Sequence, residues 1–401
     1  MMGSGFQISG KSNPIAVVTG DWHLKPGDRI WKYRKEPSGD GWYAMTQIAD
    51  AINKLNPKYL FLMGDIFHNP INTSDVFSRF RGFLKLLEVP VRVFYLQGQH
   101  DMADPPWLSL VEGNPGNPVP SRIQGLLRDE SLGLVFWGLD YTPSVQEAFN
   151  AILEASKNGG IDVLLTHQAW SEAIGFGGGN ASFGHLKGFS GVKKIISGDL
   201  HKPTHFNIPV DDPSSFFVSD GPNDYRVGKL LELVFPGPIC ITDLNSYPPF
   251  SFIVLYEDLS YTRYVLRGRT YISGRVDTEE QFDAFVRDNP PDALIDETLP
   301  EEIRTPIVYL KGDSKLLLRG REVYGKQAYY IMSSIKEKTS TAAIPRIEGS
   351  DIRTQILNYL KQKYPSYAKS FSHFLSAVTD GSDTKAAISR AISSITGVDS
   401  K

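Results

Sequence analysis

Five short apolar runs in this chain each end in an aspartate or a histidine. Ile15 to Thr19 leads to Asp21 and His23, and Tyr59 to Met63 stops at Gly64 and delivers Asp65, with Phe67 and His68 close behind. Val91 to Leu96 leads to Gln99, His100 and Asp101, Ile161 to Thr166 runs into His167, and Val192 to Gly198 delivers Asp199 and His201. Carboxylates, imidazoles and an amide oxygen are the side-chain groups that hold hard and borderline divalent metal ions. In Asp21-Trp22-His23 the two ligands stand at i and i+2, the spacing that points both to one side of an extended end.

To act together these residues need strands to carry them. In open α/β sheets ligands bind outside the carboxyl ends of the strands, so five such ends aim their side chains at one place, with Asp65 the bridge among them. Trp42 to Leu55 has helical spacing through Ile48, Ile52 and Leu55, which makes a βαβ unit with the strands on either side. Thr73 and Ser74 can cap a helix over 73–88 whose apolar stripe is Val76, Phe80, Phe83, Leu84 and Leu87, ended by Pro90. A strand from Leu134, a helix over Ser144 to Ala155 and the Ile161 strand follow; further strands are expected at His205 to Pro209, Ser215 to Ser219, Leu230 to Phe235 and Ser251 to Tyr256.

The 401 residues are 41% hydrophobic and 22% charged, with a formal charge of -3, the composition of an ordinary globular protein. That balance neither demands nor excludes nucleic acid, because a groove can be basic on a nearly neutral protein. There is no run of about 18 apolar residues and no charged-then-apolar leader, so the expectation is a soluble intracellular protein without a membrane partner, cytoplasmic or nucleoid-associated, with a phage origin left open. The lone Cys240 forms no intramolecular disulfide and reads as a buried small hydrophobe. Gly5 to Ser12 satisfies the phosphate-loop pattern, but that loop needs a strand before it and a helix after it. Here four residues precede it and Asn13-Pro14 and an apolar strand follow, so a flexible amino end over 1–13 is the better reading.

Taken together, D-x-H, G-D, a G-N-H-[DE]-like Gly98 to Asp101, a lone His and a G-H-x-H-like Gly198 to His201 resemble the calcineurin-like metallophosphoesterases over roughly residues 15 to 205. His68 after Gly64 to Phe67, and Lys202-Pro203 after the last motif, look most like the SbcD branch, the nuclease subunit that works with an SbcC-like ATPase of the SMC family. The resemblance implies an α/β fold, a four-layer αββα sandwich over 14–256, with a small α+β cap over 257–335. It implies two divalent ions, the first on Asp21, His23, Asp65 and His201, the second on Asp65, Gln99, His167 and Asp199. It further implies that His100 stabilises transition-state charge or protonates the leaving oxygen, oriented by Asp101. His68 is either a second helper or a structural histidine beside a helix; His185, His205 and His373 match no motif.

Two positions depart from the family pattern: Gln99 stands where Asn is usual and Asp199 where the first His of G-H-x-H is usual. Both can still coordinate, and the extra oxygen donor favours Mn2+ or Mg2+ over Zn2+. Two divalent ions and a hydroxide set against three carboxylates leave no net charge, which predicts a more basic bridging water than the family norm.

Beyond the sandwich, Tyr261 to Ser273 alternates and carries Arg263, Arg267 and Arg269; a helix over Asp277 to Asp288 and strands at Pro306 to Leu310 and Lys315 to Leu318 would complete the cap. With Lys315, Arg319 and Arg321 these arginines are candidate phosphate contacts along DNA. The Gly-rich 175–180 stretch reads as a mobile lip or as a plain surface loop. Residues 336–350 read as a linker and 351–401 as amphipathic helices that dock the ATPase in SbcD-like proteins, which also form homodimers; Pro105 to Leu110 and the 73–88 helix are the candidate contacts. The resulting expectation is a DNA exonuclease, with endonuclease activity open. A phosphatase of small molecules or phosphoproteins and a catalytically decayed tethering module are the rivals.

Overall fold

The structure, a computed structural model, describes residues 12–26, 38–69, 74–102, 108, 118–175, 178–210, 219–220, 223–224, 230–242 and 248–334. The strand expected over Ser215 to Ser219, the linker and the helices expected over 351–401 lie wholly or mostly outside the described residues.

In chain order the strands are β1 (Pro14–Thr19), β2 (Tyr59–Leu62), β3 (Arg92–Tyr95), β4 (Ser121–Arg122), β5 (Gly125–Asp129), β6 (Leu134–Leu139), β7 (Ile161–His167), β8 (Val192–Gly198) and β9 (Thr204–Pro209). They continue with β10 (Ser219–Asp220), β11 (Asn223–Asp224), β12 (Leu230–Phe235), β13 (Ser251–Tyr256), β14 (Tyr261–Val265), β15 (Tyr271–Val276), β16 (Ile307–Gly312) and β17 (Tyr329–Ser334). The helices are α1 (Asp40–Leu55), α2 (Ser74–Lys85), α3 (Gln146–Lys157), α4 (Ser171–Ile174), α5 (Glu279–Asp288), α6 (Glu301–Arg304) and α7 (Ser314–Tyr324).

Two six-stranded sheets dominate, in the orders β14-β13-β1-β2-β3-β4 and β5-β6-β7-β8-β12-β9. β1 to β4 run parallel, as do β6, β7, β8 and β12, so the carboxyl ends that carry the candidate ligands lie at one edge of each sheet. Strands buried on both faces are largely apolar, as PIAVVT of β1, YLFL of β2 and the VLL centre of β7 are.

Alternation then assigns the faces. Ala16, Val18, Tyr59, Phe61 and Met63 meet Phe136, Val163, Leu165 and Ile196 of the second sheet in an inner core, while Val17, Leu60 and Leu62 face α1 and α2. The outer face of the second sheet packs Leu164 and Ile195 on Phe149 and Ile152 of α3. Helix, sheet, sheet, helix is the four-layer α/β sandwich, and each buried Leu, Ile or Phe in it contributes about 1.5–3 kcal/mol.

The small unit mixes helices and strands, and its three strands β15, β16 and β17 are parallel. One face joins the outer core through Tyr271, Ile307 and Tyr309; the other covers α5 and α7 with Val308 and Leu310. Two sequence-based expectations are corrected here. The alternating Tyr261 to Ser273 run is two strands in different sheets: β14 pairs with β13, so the sandwich extends to Val265 and the cap sheet begins at Tyr271. Lys315 to Leu318 is the first turn of α7 and not a strand, because the Asp313 carboxylate caps the backbone N–H groups of Lys315 and Leu316. Cys240 is half-buried against the outer core.

Candidate metal centre

Each ligand-bearing loop leaves its strand abruptly. Gly64 has φ 89° and a side chain there would meet the His167 ring and the Gly98 backbone; a Cβ at Gly98 would overlap Asp65 Oδ1. Asp21, His23, Asp65 and Asp199 themselves have positive φ, between 46° and 79°. Non-glycine residues there cost of order 1–3 kcal/mol each, and such strain gathers where function requires it. The strand pairing continues past its ends to hold these turns: Asp21 N–H donates to Gly64 O at 3.1 Å and His23 N–H to Asp65 O at 2.9 Å.

Asp65 is 1% exposed and sits at the middle. Its Oδ1 accepts the His100 backbone N–H at 2.9 Å, and its Oδ2 lies 3.6 Å from His23 Nε2 and 3.5 Å from His167 Nε2. On one side, His23 Nε2 and His201 Nε2 approach to 2.9 Å, and His201 Nε2 is 4.0 Å from Asp21 Oδ1. On the other, His167 Nε2 is 3.8 Å from Asp199 Oδ1, and the Gln99 amide donates to the same Asp199 oxygen. The structure thus brings all seven candidate ligands to one place, with Asp65 between the two sets. Asp21, His23 and His201 form one compact ligand group, and Asp21, Asp65 and His167 another.

The donor set fits divalent cations by its own polar accounting. Asp21 Oδ2, Gln99 Oε1 and His167 Nε2 are buried and have no hydrogen-bond partner, a cost of about 1–3 kcal/mol each unless something else is bound there. All three can only accept or coordinate if His167 carries its proton on Nδ1, and it does, since that nitrogen lies 2.6 Å from the Met63 carbonyl. Electrostatics agree. Burial pushes the Asp21 carboxyl up to about 6. Burial also holds the His23 imidazole well below its ordinary value. His167 is pushed well above its ordinary value against its burial, by the charges of Asp65, Asp21 and Asp199. A divalent ion held here would set its charge against the same three carboxylates.

His100 and His68 lie at the rim. Their rings stack, with centroids 5.3 Å apart and 12° between planes. His100 Nδ1 donates to the His68 carbonyl at 2.8 Å, which leaves Nε2 facing the cluster 4.0 Å from Asp65 Oδ2. The expected orienting role of Asp101 is corrected: its carboxylate accepts the backbone N–H groups of Ile66, Phe67 and Gly98, at 3.2, 2.9 and 3.2 Å, so it locks two ligand loops together. His68 Nδ1 lies 3.3 Å from His23 Nδ1, which places it behind a candidate metal ligand as well as beside His100.

Residues outside the five motifs also take part. Thr242 Oγ1 reaches His201 Nδ1 at 3.3 Å, from the segment after β12, a sixth strand whose carboxyl end points the same way. Its signal in sequence was that direction alone. Asn180, at the return of the Gly-rich loop, bonds Thr142 O, Gln168 Oε1 and the Ala169 N–H, which anchors that end of the loop beside His167. His185 bonds Ser182 and is structural, and His205 lies exposed on an edge strand.

Among the candidate DNA contacts, two are corrected outright. Arg269 is buried against Asp40 at 3.1 Å and bonds the carbonyls of Ser38, Glu302 and Thr305, and Arg263 bonds the carbonyls of Phe235, Pro236 and Thr204. Arg267 pairs with Asp296 and Arg319 with Glu279 and Asp283, each on the surface. Lys315 and Arg321 are exposed on α7.

The chain is thus a two-sheet α/β sandwich with a cluster of His and Asp side chains, able to hold metal ions, outside its parallel strand ends. Residues 16–203 match the calcineurin-like phosphoesterase family. A search of curated proteins finds no match. Among solved structures, the chain is similar to the TT1561 protein of Thermus thermophilus, at 10% identity and TM-score 0.41, over 64% of this chain and 100% of that one. It is also similar to a dimetal phosphatase from Danio rerio (11%, TM-score 0.37, 64% of this chain and 100% of that one) and to Pseudomonas putida nuclease MPE (9%, TM-score 0.26, 62% and 87%). At these scores the likeness bears on neither substrate nor partner. Among the described residues no helix is long and apolar enough to cross a membrane.

Proposed function

We propose that this chain is a two-metal DNA phosphodiesterase of the SbcD type, an exonuclease with endonuclease activity left open. The observation that carries the hydrolytic reading is the set of three buried acceptor atoms without hydrogen-bond partners, on Asp21, Gln99 and His167, in a cluster where Asp21, Asp65 and His167 bring ligand atoms within 4.8 Å of one another. Asp21, His23, Asp65 and His201 would hold one ion and Asp65, Gln99, His167 and Asp199 the other, with Mn2+ favoured and Mg2+ next, given the oxygen donors of Gln99 and Asp199. When bound, such a pair of ions lowers the pKa of a water and clamps the oxygens of an in-line displacement at phosphorus.

The protein's own groups supply the rest. Asp65 Oδ1 holds the His100 backbone, the His68 carbonyl holds the Nδ1–H of His100, and Nε2 faces the cluster; as the imidazolium, His100 would give its Nε2 proton to the leaving oxygen and return to the neutral Nδ1–H form. A proton delivered there favours an alkoxide leaving group, as in a phosphodiester of DNA. The resemblance around His68 and the exposed Lys315 and Arg321 of α7 support DNA as substrate. An SbcC-like ATPase on 351–401 and a homodimer belong to the same proposal.

The test is release of nucleotides from end-labelled linear duplex DNA with Mn2+, with Mg2+ and with EDTA, beside chromogenic diesters and monoesters. Metal-dependent release from DNA is the expected result. Turnover of monoesters alone would make it a phosphatase, and no turnover in any metal would make it a decayed scaffold.

A further inference from the structure

We infer that Thr242 is a positioning residue that fixes the tautomer and ring orientation of His201. The inference rests on the dimetal reading of the site. Thr242 is 4% exposed and lies beyond the stretch that matches the phosphoesterase family, on the segment leaving β12. Its Oγ1 stands 3.3 Å from His201 Nδ1, while His201 Nε2 faces His23 Nε2 at 2.9 Å and Asp21 Oδ1 at 4.0 Å.

The same device recurs around the cluster. His167 gives its Nδ1 proton to the Met63 carbonyl, and His100 gives its own to the His68 carbonyl, each presenting Nε2 inward. Carbonyl oxygens can only accept, so those two tautomers are settled by the backbone. His201 differs from those two in being anchored by a side chain, and a hydroxyl can accept the Nδ1 proton in the same way. Lys25 completes the arrangement: its ammonium donates to the Thr242 carbonyl, tying the segment to the turn that carries His23. One short stretch thus links the two imidazoles that approach each other most closely. An outer partner of a metal-bound imidazole raises its basicity and fixes its direction, and losing one costs about 10 to 100-fold in metal affinity.

The experiment is Mn2+ titration of the full chain, followed by the electron paramagnetic resonance of free and bound ion, for wild type, Thr242→Val and Thr242→Ser. In Thr242→Val, which keeps the volume and removes the hydroxyl, one Mn2+ should bind about 10 to 100-fold more weakly while the other is unchanged. Thr242→Ser should restore wild-type binding. Circular dichroism checks each fold, and Thr242→Ala is the second variant should the valine disturb packing. Two ions bound by the valine and alanine variants as tightly as by wild type, or a serine variant as weak as the valine, overturns the inference alone. No Mn2+ bound by the wild-type chain overturns the dimetal reading together with it.

Discussion

The rim of the two large sheets and the small parallel unit both carry charged side chains but treat them in opposite ways. At the rim, buried polar atoms of Asp21, Gln99 and His167 are left without hydrogen-bond partners. In and beside the small unit, arginines that looked available are committed to internal partners: Arg269 to Asp40 and three carbonyls, Arg263 to backbone oxygens. Residue type alone therefore does not mark a site. A buried group that lacks a partner marks one; a buried group that has its partners marks the fold.

Several experiments break or sharpen that contrast. The largest effect is expected at the rim, where His100→Ala should lower kcat about 10² to 10⁴-fold, the range of a lost general acid, with both metal ions still bound. An unchanged kcat would remove His100 from the reaction. Arg269→Met should act on stability: it leaves Asp40 buried and unpaired, and thermal or urea unfolding should lose about 3–5 kcal/mol, with DNA affinity per folded molecule unchanged. A DNA-binding defect in the folded variant would return Arg269 to the list of contacts.

A smaller effect concerns the two departures from the family pattern. The structure puts them in direct contact, since the Gln99 amide donates to Asp199. Gln99→Asn and Asp199→His should therefore be non-additive, coupled by about 0.5–3 kcal/mol in a double-mutant cycle on Mn2+ binding or kcat/KM. Additive effects would mean that the pair is not a unit.

The smallest effect lies at the far, amino-terminal end of the strands. Burial works against ionisation of Asp129, yet bonds from Lys58, Tyr59 and Ser131 hold its carboxyl well below the usual carboxylate range. A depressed native pKa stabilises above the unfolded value of about 3.9 and is lost as pH falls through the lower native one. The stability gap between wild type and Asp129→Asn should be full at neutral pH and close below about pH 4, with activity unaffected.

Much of this was legible in the sequence for one physical reason: a parallel strand buried on both faces must be largely apolar, so β1, β2 and β7 announce themselves and their ends. The ligands follow because they stand just past those ends. What was not legible depends on distant partners. Nothing near Arg269 in sequence names Asp40, which is 229 positions away. The alternation of Tyr261 to Ser273 cannot say that β14 joins β13 while β15 joins β16. Lys315 to Leu318 is apolar enough for either a strand or a helix, and the cap from Asp313 decides. Asp101 and Thr242 act through backbone N–H groups or across a segment far along the chain, contacts that spacing does not encode.

The central claim is that the unpartnered atoms around Asp65 await two divalent ions. Equilibrium Mn2+ binding to the purified chain and to Asp65→Ala, counted by metal analysis after gel filtration, tests it most directly. The account predicts two ions per wild-type chain and loss of tight binding at both positions in Asp65→Ala, because that carboxylate lies between the two ligand sets. Two ions bound equally well without Asp65, or none bound with it, would contradict the account.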